Sequence, residues 1–172
     1  FNERGYDGTS MEDLARAAGI SKSSFYHHVD GKEALLAAAC ERALSALTAI
    51  RDDPLVHEGR AVDRLEHVLR LTTQALLTEL PYVTLLLRVR GNTTTEKKAL
   101  ERGPDFDRFT TVLVSQAIAD GDLRGDIEPA VATKLVFGLV NSLTDWYRPG
   151  PTPDADIVDA TVSLALRGLR ID

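Results

Sequence analysis

Positions 21–28 read Ser-Lys-Ser-Ser-Phe-Tyr-His-His, and all but one of these side chains can donate a hydrogen bond. Lys22 brings a charge, Ser23 and Ser24 short hydroxyls, Tyr26 a phenol, and His27 and His28 imidazoles. Metal binding, acid–base catalysis and recognition of a polyanion could each use such a set. Metal binding fails on geometry, because adjacent helical residues point about 100° apart and no Cys or carboxylate completes a tetrahedral set around His27 and His28. Catalysis fails for want of partners. The chain shows no nucleophile–base pair, Gly-rich phosphate loop or paired catalytic carboxylates, so no catalytic residue, metal site or cofactor is expected. Recognition remains: Lys donates to guanine or to phosphate, and hydroxyls bond either.

The flanking residues position these donors. Met11, Leu14, Ala15 and Ala18 fall at i, i+3, i+4 and i+7, one apolar stripe of an amphipathic helix. Two capping-box starts compete for it, Thr9 with Glu12 and Ser10 with Asp13. Gly19 sits where the chain must leave the helix through a positive φ, and Ser21 caps the next one. There Phe25 and Val29 point inward with Leu14 and Ala18, while Lys22, Ser23, Tyr26 and His27 share the outward face. Asp30 and Glu33 repeat the capping-box spacing before a longer helix through Leu36, Ala39, Ala43, Leu47 and Ile50. Two short helices across a Gly turn, followed by a third, make a helix-turn-helix whose second helix enters the DNA major groove. Thr9 and Ser10 start the supporting helix and Lys32 lies in the first turn of the third. Helix N-termini favour phosphate, so these three join the expected DNA contacts.

The run GYDGTSMEDLARAAGISKSSFYHHVDGKEALL resembles the DNA-binding region of TetR-type transcriptional repressors. The likeness covers a Gly-aromatic turn, a Thr/Ser-capped helix, an AGxS turn, a Tyr-His recognition helix and a Lys-Glu start to the next helix. It implies an all-α homodimer, with an N-terminal DNA-binding domain and a C-terminal helical domain for ligand binding and dimerisation. It also implies that Tyr26 and His28 face the DNA backbone while His27 lies beside the bases. Family members carry a further helix before the Gly-aromatic turn, of which residues 1–4 could supply only the end. The expected division is therefore residues 1–51 for the DNA-binding domain, its first helix largely absent, and 52–172 for the ligand-binding and dimerisation domain.

A net charge of −6 looks wrong for a DNA binder until it is divided. Residues 1–51 hold six Lys/Arg and seven Asp/Glu, so the acidity belongs mostly to the remainder. A few cations placed against phosphates suffice, and a dimer doubles them. No apolar run approaches membrane-spanning length. The single cysteine, Cys40, excludes an intrachain disulfide and fits a reducing cytoplasm, the expected location; among alanines, it reads as a buried inert thiol.

Beyond Asp53-Pro54 the pattern is helical throughout. Ala61, Leu65, Val68, Leu69, Thr72 and Leu76 keep helical spacing to Leu80, and Pro81 ends that run. YVTLLLRVR has the length of a strand, but no second strand exists to pair with it, so a short helix is expected. Phe106, Phe109, Leu113 and Ala117 mark another helix, stopped at Gly121. Pro129 opens one reaching Tyr147, and Ile157, Thr161, Leu164 and Leu169 mark the last. The final two helices are apolar on more than one side, which calls for a partner on each. The resemblance makes them a dimerising pair that forms a four-helix bundle across a two-fold axis.

The resemblance also implies that Leu69, Leu76, Leu86, Phe106, Phe109, Leu113 and Phe137 surround an effector cavity, with Asn141, Trp146 and Arg148 near one end. NSLTDWYRPG is similar to a segment of members that respond to acyl-coenzyme A thioesters. The expected partners are thus double-stranded operator DNA, a second copy of the chain and a largely apolar small molecule. An acyl-CoA is one class for that molecule, its phosphates meeting Arg148, Arg88 or Arg90, and a free aromatic or lipophilic compound is the other. The competing expectation is a DNA-binding regulator with a solid C-terminal domain, controlled by a protein partner. Cavity volume separates the two.

Overall fold

The computed structural model describes residues 1–171, which form eight α-helices and one 3-10 turn. They are α1 (Met11–Ala17), α2 (Lys22–His28), α3 (Lys32–Arg51), α4 (Ala61–Thr78), α5 (Leu80–Arg88), α6 (Thr94–Ala119), α7 (Pro129–Trp146) and α8 (Asp154–Arg167), with the 3-10 turn at Pro54–Val56. No strand occurs among the described residues; one antiparallel bridge pairs Leu123 with Arg170. No helix among them is long and apolar enough to cross a membrane.

Helix α4 is the hub, packing on α3, α5, α6, α7 and α8. Its Leu65, Val68 and Leu69 are fully buried, each contributing about 1.5–3 kcal/mol relative to exposure. They join Leu113 and Val114 of α6, Val140 and Leu143 of α7, and Val158 and Val162 of α8 in the main core. A smaller cluster, Leu36, Cys40 and Leu44 with Leu85, Val89 and Ala99, fastens α3 to α5 and α6.

Several boundaries follow from single residues. Ser10 with Asp13 forms the capping box of α1, settling the choice against Thr9 and Glu12. Gly19 has φ +68°, and Ser21 accepts from the Ser24 amide to open α2. YVTLLLRVR supplies α5, a helix as expected. Pro81 has no N–H to donate into the α4 ladder and sits instead in the first turn of α5, where none is needed. The chain therefore breaks at Glu79, whose amide closes α4 on the Ala75 carbonyl at 2.8 Å and whose carbonyl starts α5 with the Val83 amide at 3.0 Å.

Four expectations need correction. Asp30 and Glu33 form no capping box; α3 begins after Gly31, whose φ of +121° suits no side chain well, and without a side-chain cap. Glu33 is claimed from across the fold, accepting from the Thr95 amide and hydroxyl at 3.3 and 3.0 Å. Ala18 ends α1 as an exposed cap and is not core. Helix α6 begins well before Phe106, capped by Thr93, and runs through Pro104. Buried Glu96 secures that start by accepting from the Arg90 and Asn92 amides at 3.2 and 2.7 Å. Leu169 lies beyond the end of α8, though it is buried.

Candidate nucleic-acid interface and effector cavity

The turn at Gly19 sets α2 beside α1 with Phe25 buried underneath. Lys22, Ser23, Tyr26, His27 and His28 are exposed and Ser24 is half-buried. Lys22 and Tyr26 are four residues apart, as are Ser23 and His27, so these pairs run along one accessible face. Tyr26 keeps 52% of its surface open, large for an aromatic ring beside its own core. The Lys22 ammonium bonds the Glu12 carboxylate of α1. That bond holds Glu12 below the usual carboxylate range and pushes Lys22 up.

The three residues expected at helix starts sit differently. Ser10 is exposed and spends its hydroxyl on the cap, accepting from the Asp13 amide at 3.1 Å and donating to Asp13 Oδ2 at 2.6 Å. Thr9 is buried and its hydroxyl donates to the Gly5 carbonyl at 2.6 Å, so its side chain faces the inside of the turn. Lys32 is half-buried, donates to the Tyr6 carbonyl at 2.8 Å, and lies 4.2 Å from the centre of the Tyr6 ring. It fastens α3 to the preceding turn through one of the three N–H donors of its ammonium.

A cavity of about 360 Å3 opens among α3, α4, α5, α6 and α7. Leu76, Leu86, Phe106, Phe137 and Asn141 line it, as expected from sequence. Leu69 and Leu113 do not: both are fully buried in the core. Phe109 is absent from the wall too, packing instead near His57 at 5.9 Å and Phe106 at 6.3 Å between ring centres. Trp146 is 58% exposed at the end of α7 and outside the cavity. Sequence reasoning missed the contribution of α3, through Ala43, Leu44, Ala46 and Leu47, and that of Gly103 on α6. The alanine-rich composition of α3 was the available signal, since small side chains leave room beside a helix. Arg90, Asp107, Thr72 and Asn141 supply polarity. Arg88 donates to the Asn2 carbonyl and Arg148 to the Tyr147 carbonyl, each at 2.6 Å, so Arg90 is the basic side chain that reaches the cavity.

A second apolar surface crosses the last two helices. Val131, Leu135, Leu139 and Trp146 stand exposed along α7, and Leu164 on α8. Leu135 and Leu164 are 63% and 65% exposed, well beyond what a leucine inside a packed helical body shows. Among the described residues no cluster of three or more His, Cys, Asp or Glu could hold a metal ion.

A helix-turn-helix with a polar, exposed second helix, mounted on an all-helical body with its own cavity, defines a DNA-binding transcriptional regulator rather than an enzyme. The chain belongs to the TetR family: residues 1–39 match the bacterial regulatory proteins of the tetR family, and residues 58–169 match the tetracyclin repressor-like C-terminal domain. The crystal structure of SCO3833, a TetR-family regulator of Streptomyces coelicolor A3, is similar at 54% identity and a TM-score of 0.90, over 98% of this chain and 86% of that one. The HTH-type transcriptional repressor KstR2 of Rhodococcus jostii RHA1 is 26% identical over 173 residues, covering 98% of this chain and 85% of the relative. The crystal structure of AibR in complex with isovaleryl coenzyme A and operator DNA is similar at 27% identity and a TM-score of 0.74, over 95% of this chain and 90% of that one.

Proposed function

We propose that this chain is a dimeric repressor that holds operator DNA through α2 and releases it when a largely apolar effector, an acyl-CoA thioester, enters the cavity. Residues 1–51 act as the DNA-binding domain and 52–172 as the effector and dimerisation domain. Lys22, Ser23, Ser24, Tyr26, His27 and His28 meet the DNA, Ser10 supports them as a cap, and Thr9 is left out. The exposed strip from Val131 to Trp146, with Leu164, is the surface that a second copy covers across a two-fold axis.

One observation carries the reading: α3 forms part of the cavity wall and also continues the chain directly from α2. An effector touching Ala43 and Leu47 pushes on the helix that mounts the reading head. Release follows if the effector binds better to the arrangement whose two reading helices no longer match the groove spacing. A cavity of about 360 Å3 lies within the range for small-molecule sites and argues against a solid domain governed by a protein partner. It takes an acyl chain but not a coenzyme, whose phosphates stay at the mouth, where Arg90 can pair with them. The relatives KstR2, a repressor, and AibR, seen with isovaleryl coenzyme A and operator DNA, support both halves of this reading.

The test uses DNA that the protein itself retains from genomic fragments. Acyl-CoA thioesters of increasing chain length, the matching free acids and coenzyme A alone are titrated into that complex, with release followed by fluorescence anisotropy. Release by thioesters and not by the acids is expected. Release by the acids alone would reject the thioester, and release by none would reject the effector reading for this class.

A further inference from the structure

We propose that Glu12 is a specificity gate on the reading helix, holding Lys22 back from non-specific DNA and surrendering it to the operator. The inference rests on the role given to Lys22 above. Lys22 is the first residue of α2 and Glu12 the second of α1, and the Gly19 turn brings their charged ends into direct hydrogen-bond contact. Both side chains are more than half exposed, so the pair is open to solvent and to any DNA docked on α2. The neighbouring charges do not compete for Lys22. Asp13 is bound to Ser10 and paired with Arg4 and Arg16, and its carboxylate is therefore already engaged.

The gate works through a difference between the two kinds of complex. Non-specific binding draws its affinity from phosphate contacts and counterion release. There a phosphate offers Lys22 only another anion, and Lys22 stays with Glu12, contributing neither a contact nor a released ion. In the operator a base edge offers aligned acceptors in the major groove, an interaction that Glu12 does not duplicate. Lys22 then leaves its partner. Glu12 thus costs little affinity on target and suppresses the off-target electrostatic term.

The experiment uses the whole protein, an operator duplex selected by the wild type from a random-sequence pool, and a scrambled duplex of equal length. Affinities are measured over a salt series for wild type, Glu12→Gln, Lys22→Ala and the double variant. Glu12→Gln should bind scrambled DNA several-fold more tightly, with the slope of log K against log salt steeper by roughly 0.9 per protomer. Its slope on the operator should not change, because Lys22 is already engaged there. On scrambled DNA the double variant should match Lys22→Ala. An equal slope change on both duplexes would overturn the gate, as would undiminished tightening by Glu12→Gln when Lys22 is absent, since Glu12 would then act only as bulk charge. Unchanged operator affinity in Lys22→Ala would reject the base contact on its own, while the slopes on scrambled DNA still judge the Glu12–Lys22 coupling.

Discussion

The Arg42 guanidinium grips the Glu79 carboxylate by two hydrogen bonds, 2.5 Å from Nε and 3.0 Å from Nη2, and lies 4.4 Å from the centre of the Tyr82 ring. Arg42 belongs to α3, which carries the reading head, and Glu79 is the one residue between α4 and α5. All three helices wall the cavity. A displacement of α5 by an effector therefore pulls on α3 through a planar, two-point grip. Arg42→Lys keeps the charge but loses the fork and the flat face that rests on Tyr82. Operator affinity without effector should stay within about twofold, while the coupling to effector falls by roughly 0.5–2 kcal/mol. The ratio of operator Kd with and without a releasing acyl-CoA measures this, and an unchanged ratio would assign the transmission to other contacts.

A second expectation concerns acid. Asp13 Oδ2 accepts from the Ser10 hydroxyl and amide at 2.6 and 3.0 Å, and these bonds, with Arg4 and Arg16 nearby, hold its carboxyl below the usual range. A carboxyl depressed by folding stabilises the fold above its unfolded pKa and stops doing so as pH falls through the folded value. Asp13→Asn should therefore loosen α1 at neutral pH, with the difference from wild type closing in strong acid once the native carboxyl is protonated. Ser10→Ala should cost about 1 kcal/mol as a lost N-cap. Amide exchange along α1, followed from pH 7 down into acid below the depressed folded pKa of Asp13, reads both. A gap that stays constant over that range would show that Asp13 acts by something other than its charge.

The reading head was legible because its signals are local. Gly19, the caps at Ser10 and Ser21, and the outward donors of α2 lie within a few turns of one another, and backbone chemistry at that range decides structure. Where the decision was tertiary, spacing misled. Glu33 has good capping-box spacing from Asp30, yet its carboxylate is taken by Thr95, 62 residues away. Thr9 looked as able a phosphate contact as Ser10 until the Gly5 carbonyl claimed its hydroxyl inside the turn. The cavity failed for a different reason. Leu113 in the core and Phe106 in the wall follow the same helical period on the same helix, and periodicity reports that a side chain faces inward without saying whether anything fills the space before it.

The exposed strip makes a prediction about assembly. Leu135 and Leu164 should each be covered twice in a two-fold dimer, because an isologous interface repeats every residue. Leu135→Asp with Leu164→Asp would then place four carboxylates in that interface. Sedimentation should show a monomer with unchanged helical content, and operator binding should fall by orders of magnitude, as one short reading head rarely binds specifically alone. A variant that still sediments as a dimer would locate the interface elsewhere.

The cavity itself is set in part by a missing side chain. Gly103 lies on the α6 wall, and a Cβ built on it meets no atom within 4 Å, so the space in front of it belongs to the cavity. Two reasons for a glycine compete here. The residue before a proline is disfavoured in helical conformation when it carries a Cβ, and Pro104 follows within the same helix. The alternative is that Gly103 keeps room for the effector. Replacing Pro104 separates the two. Pro104→Ala should stabilise the protein by up to about 3 kcal/mol, since it restores a hydrogen bond inside α6, and should leave effector preference alone. In that background the pre-proline clash is gone, so Gly103→Leu tests only the space. It should retain operator affinity and short acyl-CoA thioesters while losing the longer ones. Isothermal titration along a chain-length series reads the cut-off. The same chain-length profile with and without the leucine would show that Gly103 serves only Pro104, and that the acyl group lies along another part of the wall.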